Sequence, residues 1–70
     1  MDTEHRVIGE LLALKDAPDD VLLDHVEAIG ERAARHMLSD EAARLQHTDQ
    51  TTATDCAALV DRIDALIRPA

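Results

Sequence analysis

No phenylalanine, tyrosine or tryptophan occurs anywhere in the 70 residues. The side chains with the largest burial per residue are therefore missing, in a chain so short that it buries a low fraction of its surface anyway. The core must be aliphatic and thin, or shared with another chain. Cysteine is almost absent too: Cys56 stands alone, so an internal disulfide is impossible and a stapled secreted mini-protein is excluded. Basic residues are scarce, 7 Lys+Arg against 15 Asp+Glu for a net charge of −8. That balance argues against nucleic acid as a partner, because affinity for phosphates comes mostly from Lys and Arg that displace condensed counterions. No apolar run approaches the length needed to cross a bilayer. The segment Met1-Asp2-Thr3-Glu4-His5 is acidic where a signal peptide is basic, and Glu10 interrupts the apolar stretch of residues 7–14. A cytoplasmic protein without a membrane partner is expected. Strand-like alternation, internal repeats and low-complexity segments are also lacking.

What is present is helical periodicity from end to end. Val7, Ile8, Leu11, Leu12 and Leu14 share a broad face of a first helix over about residues 3–15, with Asp2 or Thr3 as its N-cap. Its end is set by Pro18, which biases the residue before it away from the α region. Pro18 also suits the first turn of a second helix, where Asp19 and Asp20 complement the helix dipole. The stripe Leu22, Val26, Ile29, Ala33, Met37 then carries that helix over residues 18–38. Beyond Met37 the apolar direction turns: Leu38, Ala42 and Leu45 point well away from the stripe. Ser39, followed by Asp40 and Glu41, is read as a new N-cap that starts a short helix over 40–47. The alternative is one long helix over 18–47 with two apolar faces, which needs a second partner surface, most simply another copy of the chain. Thr48-Asp49-Gln50-Thr51-Thr52 reads as a loop. Thr52 or Thr54 then caps a last helix over about 53–68 that carries Cys56, Leu59, Val60, Ile63, Leu66 and Ile67. The expectation is all-α: one helical domain over 1–70, a small bundle or hairpin array of three to four amphipathic helices.

Charge is unevenly distributed along this pattern. Residues 1–31 come to −7, residues 32–48 to +1 and residues 49–70 to −2. Asp16, Asp19, Asp20, Asp24, Glu27 and Glu31 form the densest stretch, a field of one sign that steers basic partners and repels membranes and nucleic acid. The bland reading is that these carboxylates keep a small apolar protein in solution.

Chemistry has few footholds. His25, His36 and His47 recur every 11 residues, about three helical turns and about 16 Å apart on one helix, too far to share a metal ion within the chain. Ligation would need another helix or subunit; locally only His36 with Asp40 stands at the i, i+4 spacing. Histidines half buried beside an apolar stripe are the plainer reading, and no metal or cofactor is assigned. Cys56 lies on the apolar stripe of the last helix, where a thiol behaves as an inert small hydrophobe. No enzymatic activity is expected.

The segment Glu4-His5-Arg6-Val7…Leu11-Leu12 is similar to the first helix of acyl carrier proteins, a family that carries its phosphopantetheine arm on a Ser within Asp-Ser-Leu at a helix start. Here Ser39 stands in the reverse order, Leu38-Ser39-Asp40, and helical periodicity from Pro18 replaces that family's long first loop. No carrier function is taken from the similarity. The expected function is a non-catalytic helical protein-protein interaction or oligomerisation module, such as a small regulatory subunit. Leu22, Val26, Ile29, Met37, Leu38 and Leu45 are its expected contact residues, with a further copy of the chain or another protein as partner. Two alternatives stand beside it: an acidic inhibitor, immunity or antitoxin-type protein that covers a basic surface with the carboxylates of residues 16–31, and a metal-binding oligomer that uses its histidines across subunits.

Overall fold

The computed structural model describes residues 3–67 as four helices: α1 (Thr3–Ala13), α2 (Asp19–Ile29), α3 (Glu31–Leu45) and α4 (Gln50–Ile67). No strand occurs among the described residues. The all-α expectation holds, with four helices, but three boundaries fall elsewhere.

The first concerns the middle of the chain. The helix read over 18–38 ends at Ile29, and α3 runs unbroken through Ser39 to Leu45, so neither a helix over 40–47 nor one helix over 18–47 is formed. The break is Gly30, at φ 109° and ψ 124°. Glycine populates positive φ without the steric penalty of a Cβ, so one residue breaks the helix and redirects the chain. The Gly30 N–H donates to the Val26 carbonyl at 2.8 Å, and the Gly30 carbonyl accepts from Ala34 N–H at 2.9 Å; a single residue thus closes one helix and opens the next. Re-phasing explains the turn in apolar direction. Ala34 and Leu38 are buried on α3, whereas Ala33, placed by continuous periodicity on the buried stripe, is exposed.

The second boundary is the start of α4. Asp49, inside the stretch read as loop, caps it: Thr52 N–H donates to Asp49 Oδ1 at 3.1 Å and Thr52 Oγ1 donates to Asp49 Oδ2 at 2.7 Å. This is the N-cap to N3 geometry, which satisfies an otherwise orphaned helix donor. Thr52 therefore stands in the first turn rather than at the cap, and the helix begins three residues before the expected 53. Third, α1 stops at Ala13 instead of 15. It tightens into i→i−3 bonds from Leu14 N–H to Leu11 O and from Lys15 N–H to Leu12 O, ahead of Pro18. The Asp2 cap and the final residue of the span 53–68 lie outside the described residues.

The most extensive pairing is the antiparallel hairpin of α3 on α4, on which α1 and α2 pack. One apolar cluster joins all four helices: Ile8 and Leu11 from α1, Leu22 and Val26 from α2, Ala34 and Leu38 from α3, and Cys56, Leu59 and Ile63 from α4. It contains no polar or charged side chain. The radius of gyration is 11.4 Å, against about 11 Å for a compact chain of this length. The aliphatic core thus closes within one copy.

Candidate interaction surface

The exposed side of α2 follows from its helical period. Leu22 and Val26 point inward with no accessible surface, and Leu23, His25 and Ile29 flank them half-buried. Asp20, Asp24 and Glu27, at i, i+4 and i+7, fall on the opposite side and are exposed, and Glu31, which opens α3 beyond the Gly30 break, is exposed as well. Val21 lies at the edge of this face at 44% exposure, the large hydrophobic residue left exposed among the described residues. Asp19 opens α2, and Asp16 extends the acidic surface into the turn before it.

Four of the six described Lys and Arg side chains pair with carboxylates, three of them away from this face, whereas exposed Arg6 and Arg32 make no ion pair among the described residues and Arg32 directly follows Glu31. Lys15 pairs with Asp55 at 3.1 Å, Arg35 with Asp64 at 2.6 Å and Arg44 with Glu41 at 2.7 Å. Arg62 pairs with Asp19 at 2.7 Å, the one pair that touches the acidic stretch. Asp20, Asp24, Glu27 and Glu31 have no ion pair or side-chain hydrogen bond among the described residues.

Arg62 was invisible in the linear pattern. From α4 it donates to the Lys15 carbonyl at 2.8 Å, to the Ala17 carbonyl, and through Nε to Asp19 at 3.1 Å. Its partners lie 43 to 47 residues away in sequence, so no local spacing signals the contact. The guanidinium fork fits this set of acceptors, whereas an ammonium lacks the planar geometry. By fastening the α1–α2 turn to α4, Arg62 sets where the acidic face begins.

The expected apolar contact residues divide. Leu22, Val26 and Leu38 are fully buried in the chain's own core and have no surface to offer a partner in this form, which corrects their placement at an external contact. Ile29, Met37 and Leu45 are half-buried, the first two packed against the same core.

The histidines do not converge. His25 Nε2 lies 3.1 Å from Glu10 Oε1, bridging α2 to α1; His36 Nε2 lies 3.3 Å from Asp40 Oδ2 on α3; His47 is exposed in the turn after α3. Among the described residues no group of three or more His, Cys, Asp and Glu side chains is placed to hold one metal ion. Burial pushes the Cys56 thiol up, with smaller contributions from Glu41, Asp55 and Asp49, the reverse of what a thiolate nucleophile requires. Ser39 is exposed in mid-helix. Clefts of about 260 Å³ between α1 and α3, lined by Ile8, Met37, Glu4, Asp40, Glu41 and Arg44 among others, and about 250 Å³ beside Arg62 are open to solvent. No helix among the described residues is long and apolar enough to cross a membrane.

No family model, no curated protein and no solved structure matches the chain.

Proposed function

We propose that the chain is a non-catalytic helical interaction module that offers the outer face of α2 to a basic surface of a partner protein, as a small regulatory subunit or an acidic inhibitor does. The observation that supports this reading is the distribution of ion pairs. Lys15, Arg35, Arg44 and Arg62 each engage a carboxylate, while Asp20, Asp24 and Glu27 are left together on one face of α2, with exposed Glu31 at the start of α3. Like charges at i, i+4 weaken the helix that bears them. A cationic partner removes that repulsion when it docks.

Such a face acts mainly on encounter. Its field raises the association rate with a basic surface and falls off with ionic strength, and Val21 adds an apolar contact at its edge. A rigid helix presented by a closed core also loses little entropy on docking, since its backbone is already ordered. Homotypic use of the same face is opposed by its own charge. The experiment is capture of the partner from the protein's own cell extract at low and high salt. The reading expects a stoichiometric basic protein that is released by 0.5 M salt, at a Debye length of about 4 Å; retention indifferent to salt opposes it.

A further inference from the structure

We propose that Gly30 is a hinge at which α2 and α3 join into one helix, and that in this open form two copies of the chain exchange their α1–α2 hairpins as a domain-swapped dimer. Gly30 forms the whole connection, since Ile29 ends α2 and Glu31 begins α3. It is the position of positive φ among the described residues, in a conformation L side chains rarely adopt. Its own two backbone bonds, to Val26 and from Ala34, are already the i→i−4 bonds of a continuous helix. Rotation about this one residue, with bonds from the amides of residues 31–33 to the carbonyls of residues 27–29, completes a helix over 19–45. That helix is about 40 Å long at 1.5 Å per residue, longer than the 34 Å greatest extent of the closed molecule.

The occupant of the opened faces follows from the core. In the closed form Ile8, Leu11, Leu22 and Val26 of α1–α2 cover Ala34, Leu38, Cys56, Leu59 and Ile63 of α3–α4. In the continuous helix Ala34 and Leu38 follow Leu22 and Val26 by twelve residues, about 120° around the axis. The two hairpins then face different ways, and neither covers the other. Each is complementary to the matching hairpin of a second copy. The latches that fasten the hairpins, Lys15 with Asp55 and Arg62 with Asp19 and the Lys15 carbonyl, all run between them and re-form between copies. A one-residue connection that can straighten into the flanking helices favours this kind of exchange. The proposal is independent of the acidic-face reading, because the outer side of α2 stays exposed in both forms.

Gly30→Ala is the direct test. A Cβ there meets only the Ala33 Cβ at 3.9 Å, so space is not limiting; alanine opposes the positive φ and favours the helix. Light scattering after size exclusion, in salt of about 0.3 M where screening acts within ~6 Å, is expected to give a helical particle of twice 7.7 kDa. A variant with Gly-Ser-Gly inserted after Gly30 is expected to remain monomeric, because a longer link folds back on itself. A folded, monomeric G30A overturns the proposal, as does an insertion variant that dimerises to the same extent. If G30A does not fold, wild-type protein at millimolar concentration is warmed to its melting midpoint and chilled. A dimer that persists for hours after dilution is expected; monomer alone overturns the proposal.

Discussion

At the scale of single residues, two polar side chains hold more of the structure than their exposure suggests. Arg62 satisfies two carbonyls in the α1–α2 turn and one carboxylate. Arg62→Met removes a charged donor from all of them, and hydrogen bonds to charged groups contribute about 1.5–3 kcal/mol each at most. A loss of roughly 2 kcal/mol is expected in urea denaturation, with Arg62→Lys recovering only part of it because a single ammonium cannot serve the fork. Asp49 is the second. The Thr52 hydroxyl, and then its backbone N–H, hold the Asp49 carboxyl below its ordinary value of 3.8. Because the folded value is depressed, this contribution is fully present above the unfolded value and is lost as pH falls through the folded one. Asp49→Asn keeps a capping oxygen but cannot titrate. Thermal melts at pH 7 and at pH 3 are expected to differ less for D49N than for wild type. Neither contact was legible as such in the sequence: Arg62 acts across more than 40 residues, and Asp49 sat in a stretch whose every member bonds locally.

At the scale of elements, existence was legible and phase was not. The apolar spacing that locates α1, α2 and α4 is a property of local sequence, and Pro18 marks its boundary by a steric effect on one neighbour. Gly30 gave no such signal, since the Leu22, Val26, Ile29, Ala33, Met37 spacing runs across it without interruption. The change of direction at Leu38 was real, but its cause lay eight residues upstream, where a left-handed glycine restarts the helical phase. Ser39 separates the two accounts experimentally. In mid-helix and exposed, it is a weaker helix former than alanine by about 0.5 kcal/mol, so Ser39→Ala is expected to raise stability by about that amount. Were Ser39 an N-cap, the same substitution would cost about 1 kcal/mol. The sign of the change in a chemical denaturation curve decides between them.

At the scale of the whole molecule, the shortage of aromatics is met by closure of a small aliphatic core within one copy, with small side chains bringing α3 and α4 together. Ala34 and Ala53 are both buried, and Ala42 packs beside the core. The acidic surface was legible from composition alone, because exposure of consecutive carboxylates follows from the cost of burying them. What composition could not give is which carboxylates are compensated, a matter of tertiary distance. That division leaves Asp20, Asp24 and Glu27 uncompensated together on α2, and it carries the functional account. The most direct measurement compares capture by wild type with capture by the α2 variant D20N/D24N/E27Q, from the protein's own cell extract at low salt, with D61N/E4Q as a control that removes charge elsewhere. The account predicts that the basic partner held by wild type and by the control is lost from the α2 variant while its helical content is unchanged. Equal capture by the folded α2 variant would contradict it.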